Sequence, residues 1–251
     1  MGYMDLMSKA ENVGLIGKMM RDLMDGANGN VENVFDCEDA FARTIWMDNC
    51  VERIKENPDS ARLIEERYMG PEYNLDELLK QPKETLGYTY AKVMTLKSFT
   101  PHFYRDRPSV DDERDYVIMR VRKTHDLYHM ISGFSMSIGE IGVIGLNTSQ
   151  QSYPAFALLE LVTLTSACFP GMVDAPLTKG VQPAKLAGTV FDTIAMGVDM
   201  GRKAKPLFPL KFEEMLKMPL EEVRRDLNIT PIKEGQASWY QDPVLKDAGL
   251  H

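Results

Sequence analysis

The most concentrated set of metal-binding side chains lies at His125, Asp126 and His129, and Glu140 follows after a break at Gly133. Because an α-helix turns by about 100° per residue, the first three side chains project from one side of a helix. Imidazole and carboxylate groups placed together are typical ligands of divalent metal ions. The chain has only 4 histidines, and two of them are here. The spacing therefore favours a divalent metal site, with zinc, magnesium, iron and manganese all open.

A helix–turn–helix would bring Glu140 back towards His125 and His129, leaving a coordination position for water or substrate. Two interpretations other than this metal site are open. Alternatively, the group is a polar patch whose side chains satisfy one another by hydrogen bonds. The His-x-x-x-His spacing also matches the helix of zinc peptidases, but Asp126 stands where those enzymes have a glutamate base. Peptidase chemistry is therefore not favoured.

An aspartate-rich stretch, Asp111–Asp115, opens the same predicted helix. Carboxylates at this spacing bridge magnesium to phosphate oxygens. Acidic side chains in a first turn also complement the helix dipole, and we favour this structural role because only one copy of the motif exists. The cations Arg120, Arg122 and Lys123 follow on the helix. They either neutralise a phosphate or an acidic ring substituent, or form a solvated charged face.

Glycines recur at Gly139, Gly142 and Gly145 within a helical pattern, although each costs about 1 kcal/mol against alanine in a helix interior. Two explanations are open: a neighbouring helix packs very closely, or a lipid tail occupies the space. In the second case the helices would enclose a long apolar tunnel or groove. The residues predicted to bind the tail are Phe134, Ile141, Gly142, Ile144, Gly145, Leu158, Leu161, Phe191 and Met196.

Helical spacing of apolar residues dominates the sequence, and strand-like alternation is nearly absent. The main predicted helices cover residues 3–25, 37–55, 60–69, 86–96, 111–130, 138–151, 153–169 and 183–201, and residues 212–227 supply the last one or two helices. No connection is long enough to separate two folded units, so we predict an all-α, single-domain helical bundle. Within it we distinguish an N-terminal helical segment (1–58), a central helical domain (59–230) and a polar tail (231–251) that is loose or draped over the bundle.

The bulk composition excludes several classes of function. A net charge of −8 argues against nucleic-acid binding, which needs a basic surface. The 3 cysteines form no Cys-x-x-Cys pair, which is typical of a reduced, intracellular protein. The longest apolar run, Ala155–Phe169, is too short for a membrane span and contains Glu160. Without a recognisable targeting peptide, we expect a cytoplasmic protein that contacts a membrane at most peripherally.

Several stretches of the sequence resemble one known family. They are Leu75–Gly87, Tyr116–Arg120, the His125-Asp126-x-x-His129 … Gly139-Glu140 signature, Gly201–Ala204 and Glu221–Leu227. Together they are similar to the coenzyme Q (ubiquinone) biosynthesis family whose eukaryotic member is encoded by the fourth of the coenzyme Q genes. The likeness covers roughly residues 60–230, and the lack of a mitochondrial transit sequence favours a bacterial homologue.

The resemblance implies an all-helical fold, a homodimer, peripheral membrane association and an isoprenoid or prenylquinone lipid as ligand. It also implies a metal ion at the mouth of the lipid tunnel. The implied metal ligands are His125, Asp126, His129 and Glu140. The residues expected to bind the head group or a phosphate are Arg120, Arg122, Lys123 and Arg202.

Three functions follow from these expectations. The favoured one is a lipid-binding accessory protein of prenylquinone metabolism. The second is a metal-dependent enzyme that removes the carboxyl group of a prenylated benzenoid ring oxidatively and hydroxylates that carbon. The third is a scaffold on which other quinone-biosynthesis proteins dock.

Overall fold

The structure is a computed structural model that describes residues 32–169 and 183–250, together with Gly14. The helix predicted over residues 3–25 lies outside the described residues. Twelve α-helices lie within the described ranges. They are α1 (Glu32–Phe41), α2 (Ile45–Lys55), α3 (Pro58–Glu66), α4 (Leu75–Leu78), α5 (Leu86–Leu96), α6 (Glu113–Ser132), α7 (Glu140–Gln151), α8 (Pro154–Cys168), α9 (Pro183–Lys203), α10 (Phe212–Met215), α11 (Leu220–Asp226) and α12 (Pro243–Asp247), with a 3₁₀ turn at Trp239–Gln241.

The described residues contain no β-strand, and backbone bridges occur only singly, at Thr85–Pro219 and Phe134–Ser238. The prediction of an all-α, single-domain fold is therefore confirmed. The long apolar tunnel stays a prediction. The other helices pack around α6, and 16 of the 20 residues of α6 are buried. Two large apolar clusters contact this helix, so any polar side chain it carries needs an internal partner.

Helix α6 begins within the aspartate-rich stretch Asp111–Asp115. The side chain of Asp112 accepts a hydrogen bond from the backbone N–H of Arg114 at 2.8 Å, which caps the helix. Asp115 is buried and forms an ion pair with Arg43 at 2.6 Å and another with Arg107. These contacts support the structural role that we favour for the motif.

The helix ends at Gly133, which adopts a left-handed conformation with φ of 84°. Its N–H donates to the carbonyl of His129 at 3.0 Å. A side chain here would also meet the backbone of Ile232, with only 2.5 Å between a Cβ and the Ile232 oxygen. Glycine is required for both reasons, and it turns the chain back towards α6.

Close helix packing, rather than an open groove, explains the glycines where α7 meets α9. A Cβ on Gly197 of α9 would lie 2.0 Å from the carbonyl oxygen of Gly142 on α7. A Cβ on Gly201 would lie 2.6 Å from the carbonyl oxygen of Leu146. Gly142 in turn faces the ring of Phe134, at 2.3 Å from its would-be Cβ. The packing alternative therefore holds at this contact.

The last described segment, residues 231–250, packs on the turn between α6 and α7. The N–H of Ile232 donates to Ser132 at 2.8 Å, and that of Trp239 donates to Gly133 at 2.9 Å. The N–H of Ser135 donates to the carbonyl of Ala237 at 2.7 Å. Trp239 is buried and stacks on Tyr240, with ring centroids 3.9 Å apart. The polar tail was expected to be either loose or draped over the bundle, and its described residues are draped.

Candidate metal centre

His125 and His129 lie one turn apart on α6, and Glu140 is the first residue of α7. The Nε2 atom of His125 lies 2.8 Å from Oε1 of Glu140, and the Nε2 atom of His129 lies 2.9 Å from Oε2. The two Nε2 atoms are 3.3 Å apart. Nitrogen and oxygen ligand atoms of all three side chains lie within 4.8 Å of one another. The turn therefore brings together the three residues that the sequence predicted to meet.

The turn itself fixes the position of Glu140. Gly139 has no room for a side chain, because a Cβ would lie 2.2 Å from the backbone nitrogen of Ser135 and 2.4 Å from the carbonyl oxygen of Ala237. The N–H of Gly139 donates to the hydroxyl of Ser135 at 3.1 Å, and the N–H of Glu140 donates to Ser137 at 3.0 Å. A compact, internally bonded turn thus places the carboxylate beside the last turns of α6.

The hydrogen bonds of His129 suit a metal ligand. Its Nδ1 atom donates to the carbonyl of Phe134 at 3.0 Å. A neutral imidazole carries only one N–H, so its Nε2 then presents a lone pair towards the carboxylate of Glu140. Such a lone pair beside a carboxylate offers two ligand atoms to a metal ion, whereas a second proton on the ring would form an ion pair there instead. A carbonyl that fixes the tautomer in this way is the usual outer partner of a metal-bound histidine.

The charges around His125 favour a cation beside Glu140, either the imidazolium itself or a metal ion that replaces its proton. Burial opposes its protonation, but the adjacent carboxylate of Glu140 outweighs burial and raises the pKa of His125 to about 9. Burial also acts on Glu140, yet both imidazoles hold the pKa of this carboxyl far below its usual value. The Nδ1 atom of His125 is buried and has no hydrogen-bond partner among the described residues. The two-nitrogen, one-carboxylate set fits a divalent ion such as zinc, iron or manganese.

Asp126, the fourth expected ligand, is not part of the three-residue group. Burial raises the pKa of its carboxyl, while His125 and His129 lower it, so it lies within their electrostatic reach. Its carboxylate also contributes to the raised pKa of the buried Tyr90. Asp126 as a direct ligand stays a prediction.

The cations expected to bind a head group have internal partners. Arg120 is buried and forms an ion pair with Glu213 at 2.7 Å, and it also donates to the carbonyl of Leu210 at 2.7 Å. Lys123 donates to the carbonyls of Gly70 and Pro71 at 3.2 and 2.9 Å. These contacts compensate both charges, so the geometry does not favour head-group binding by either residue.

Arg122 belongs to a separate buried network. Its Nε donates to the carboxylate of Glu38 on α1 at 2.6 Å, and the hydroxyl of Tyr153 donates to the same carboxylate at 2.9 Å. The guanidinium also donates to the carbonyl of Arg105 at 2.5 Å. Arg202, the remaining cation of the predicted set, is exposed near the end of α9, away from this network.

The residues predicted to bind a lipid tail divide into two groups. Six are buried in helix contacts: Phe134, Ile141, Gly142, Ile144, Gly145 and Leu158. Three are exposed on α8 and α9: Leu161 by 47%, Phe191 by 54% and Met196 by 36%. The structure therefore does not bring all nine to one described surface.

Exposed apolar side chains at α8 and α9 are the second notable feature. We call Leu161, Phe169, Phe191 and Met196 the α8–α9 face; they are four of the eight large hydrophobic side chains exposed in the described residues. Helix α8 is apolar on all sides and carries one charged residue, Glu160. A helix of this composition is normally covered on every side. Among the described residues, no helix is long and apolar enough to cross a membrane.

Sequence reasoning missed Trp239. Its indole N–H donates to the carbonyl of His129 at 3.1 Å, so the draped C-terminal segment contacts the backbone of a candidate ligand. Trp239 is one of only 2 tryptophans in the chain. A buried tryptophan needs a partner for its N–H, which is a weak signal that sequence alone cannot assign to a particular acceptor.

Comparison with known proteins identifies the family of this chain. Residues 10–233 match the family described as Coenzyme Q (ubiquinone) biosynthesis protein Coq4. The mitochondrial ubiquinone biosynthesis protein COQ4 of Kluyveromyces lactis is 28% identical over 207 residues, covering 80% of this chain and 58% of the relative. The COQ4 homolog of Aedes aegypti is 24% identical over 191 residues, covering 74% and 65%. The chain therefore spans roughly three-fifths of the length of these curated relatives.

The fold has a counterpart among solved structures. A crystal structure from Nostoc punctiforme, provisionally assigned to ubiquinone biosynthesis, superposes with a TM-score of 0.72 at 26% identity. The superposition covers 88% of this chain and 97% of that one. The fold thus defines an all-helical protein of the class to which that structure belongs. The chain belongs to the Coq4 family of coenzyme Q (ubiquinone) biosynthesis proteins.

Proposed function

We propose that this protein binds a divalent metal ion and an isoprenoid or prenylquinone lipid, and that it acts as an accessory protein in quinone biosynthesis. The observation that carries the proposal is the convergence of His125, His129 and Glu140 at the α6–α7 turn of a Coq4-family chain. The lone pair of the His129 Nε2 atom, directed at a carboxylate, is the strongest local reason for a cation.

The lipid part of the proposal is supported by the α8–α9 face. Exposed Leu161, Phe191 and Met196 are among the residues expected to contact an isoprenoid tail, and they lie on two helices packed against α7. Glu140 begins α7, so the same helix that carries a candidate ligand also contacts both apolar helices. An apolar tail or a membrane surface would gain about 25 cal/mol per Å² of apolar area covered. We therefore include peripheral membrane association.

Elemental analysis and native mass spectrometry of the purified protein test both parts. We expect one equivalent of a divalent metal and a co-purifying isoprenoid lipid. His129→Ala and Glu140→Gln should each abolish metal binding, because each removes a ligand of a three-residue set. His102→Ala is the matched control, since this exposed histidine pairs with Asp106 outside the centre and should leave metal binding intact. Full metal occupancy in both ligand variants would refute the site.

A metal-dependent enzyme is the second candidate, and one observation favours it. Three protein ligands leave coordination positions open, as in catalytic rather than structural metal sites. A bound metal would supply redox or Lewis-acid chemistry for oxidative decarboxylation of a prenylated benzenoid carboxylate. The test is turnover of such a substrate by the metal-loaded protein. Metal and lipid binding without turnover would leave the accessory function and exclude this one.

Assembly completes the proposal. We include a homodimer and contacts with other quinone-biosynthesis proteins, as the family resemblance implies. Sedimentation of the purified protein measures the first, and co-purification from cells measures the second. If the purified protein contains neither metal nor lipid while its partners still co-purify, it is better described as a scaffold.

A further inference from the structure

One nitrogen of the candidate metal centre lacks a partner in the part of the chain that the structure describes. The Nδ1 atom of His125 is buried without a hydrogen bond, while its Nε2 atom lies 2.8 Å from Glu140. His129 differs, because its Nδ1 atom donates to the carbonyl of Phe134. An imidazole that binds a metal ion through Nε2 carries its hydrogen on Nδ1, and an outer acceptor normally fixes that hydrogen. His129 is therefore fixed, and His125 still needs an acceptor.

An acceptor oxygen without a partner lies on the facing helix. Asn147 of α7 is only 1% exposed, and its Oδ1 atom forms no hydrogen bond with the described residues. Burial of an amide oxygen is unfavourable unless the oxygen is hydrogen-bonded. An apolar side chain would pack here without that penalty, so a buried amide at this position points to a polar role.

Asn147 projects towards α6. Counted at about 100° per residue, Glu140, Asn147 and Gln151 fall within one arc of about 40° on α7. The first and last residues of this helix both contact α6: Glu140 meets His125, and the amide of Gln151 donates to the hydroxyl of Tyr128 at 3.4 Å. Asn147 lies between them along the helix, so its side chain faces α6 as well.

The histidine next to this part of α7 is His125. Its ring packs edge-on against Phe156, with ring centroids 5.6 Å apart. Phe156 and Ile144 belong to the same apolar cluster. Ile144 lies one turn before Asn147 on the same side of α7. The buried donor and the buried acceptor therefore border the same group of side chains.

We propose that Asn147 is a positioning residue of the metal centre: its side-chain oxygen accepts the Nδ1 hydrogen of His125, directly or through one bridging water, when Nε2 binds the metal ion. The inference rests on the proposed metal binding and deepens it. A water bridge is nearly as favourable as a direct hydrogen bond. Each candidate histidine then has its own outer partner, the carbonyl of Phe134 for His129 and the amide of Asn147 for His125.

Binding of Co²⁺ to the full-length protein, in competition with a chelator of known affinity, tests the proposal. Asn147→Leu removes the acceptor and should weaken Co²⁺ binding by roughly 10–100-fold. The visible absorption of the bound Co²⁺ should also change, because the His125 ring is no longer held in one orientation. Asn147→Asp keeps an acceptor oxygen at the same distance from the backbone and should retain the affinity of the wild type.

Gln151→Met is the matched control. Gln151 is also 1% exposed, and its Oε1 atom also has no hydrogen-bond partner among the described residues, but it lies one turn farther from Glu140. This variant should bind Co²⁺ as tightly as the wild type. Urea unfolding of the metal-free proteins separates positioning from packing: Asn147→Leu should be at least as stable as the wild type, because an apolar group replaces an unpaired oxygen. If Asn147→Leu does not fold, Asn147→Ala gives the same comparison without added volume.

The outcomes distinguish this inference from the metal site on which it rests. Unchanged Co²⁺ affinity in Asn147→Leu overturns the inference and leaves the metal site intact. Equal weakening by Gln151→Met, or by Asn147→Asp, also overturns it, because the acceptor oxygen would then not be the cause. A wild-type protein that binds no Co²⁺ overturns the metal site and this inference together.

Discussion

Glu160 is the single charged residue of α8, and its Oε1 atom is buried without a hydrogen-bond partner among the described residues. Burial raises the pKa of its carboxyl from 4.5 to about 7. The folded protein therefore holds this proton more tightly than the unfolded chain does. The contribution of Glu160 to stability is neutral below pH 4.5, becomes unfavourable as the pH rises to about 7, and stays unfavourable above that.

We expect Glu160→Gln to raise the free energy of unfolding above pH 7 by about 1–2 kcal/mol, a value discounted for the partial exposure of the carboxyl. Below pH 4.5 the variant and the wild type should be equally stable, because the glutamate is then protonated in both states. Urea unfolding at the two pH values measures the difference. Glu65→Gln, at an exposed position of α3, should show no such dependence. An equal gain at both pH values would contradict the explanation.

Residue types alone located most of the candidate metal centre from the sequence. The remaining residues could not be placed, because the sequence does not show where each side chain points. His125, His129 and Glu140 were identified because few residue types bind metals and the turn between them is short. Asp126 lies about 100° around the helix from His125, and that angle alone does not reveal where its carboxylate ends. The partners of the cations were not predictable, since Arg120 pairs with a glutamate far away in the sequence.

At the scale of elements, the C-terminal segment (residues 231–250) supports the α6–α7 turn through hydrogen bonds. Trp239 contributes to this support twice, through its backbone bond to Gly133 and its indole bond to the carbonyl of His129. Loss of a group that bonds the ligating side chain itself weakens metal binding by roughly 10–100-fold, and loss of a bond to the backbone of a candidate ligand should weaken it less. The segment predicted as a polar tail therefore acts on the candidate site.

We expect Trp239→Phe to lower metal affinity by less than about tenfold, because it removes a bond to the backbone of His129 while the aromatic ring can still stack on Tyr240. The N–H of Gly133 still donates to the same carbonyl. Competition with a chelator of known affinity measures it. Trp46→Phe, which changes the other tryptophan, should leave the affinity unchanged. Unaltered affinity in Trp239→Phe would show that the segment has only a packing role.

The contact between α7 and α9 depends on a glycine that cannot be replaced. Gly197→Ala would place a Cβ 2.0 Å from the carbonyl oxygen of Gly142, so the two helices must move apart. We expect a loss of about 1–3 kcal/mol in the free energy of unfolding, despite the better helix propensity of alanine. Gly188→Ala, on the same helix with no atom of the described residues within 4 Å of the new Cβ, should instead gain about 0.5–1 kcal/mol. Thermal unfolding of both variants distinguishes packing from propensity.

At the scale of the whole molecule, the α8–α9 face is the expected side of membrane contact. Phe191→Ser should reduce co-sedimentation with phospholipid vesicles, because it removes an apolar side chain that is 54% exposed. Stability should change little, since the ring is mostly outside the core. Ile45→Ser is the control, at an apolar side chain that is 64% exposed on α2. If both variants lose vesicle binding equally, the face has no special role.

The fold was largely predictable because apolar periodicity marks long helices well. The pattern over residues 138–151 became α7, and that over 183–201 became α9, within two residues at each end. One predicted helix is split instead: α1 ends at Phe41, and Thr44 precedes α2 within the range 37–55. The range 212–227, predicted to supply one or two helices, supplies two, and Pro219 precedes the second, α11. Short breaks of this kind depend on capping and on contacts with distant residues, which periodicity does not report.

The buried bond between Glu38 and Arg122 has a practical meaning for anyone who shortens this chain. A version starting at residue 59 would keep most of the stretch that resembles the family, yet it would lack α1 and strand a guanidinium inside the bundle with its counter-charge removed. Orphaning one member of an internal ion pair costs about 3–5 kcal/mol. That is a large share of the roughly 5–15 kcal/mol that holds an ordinary domain together. The part of the sequence whose motifs carry the resemblance is therefore smaller than the part that must fold.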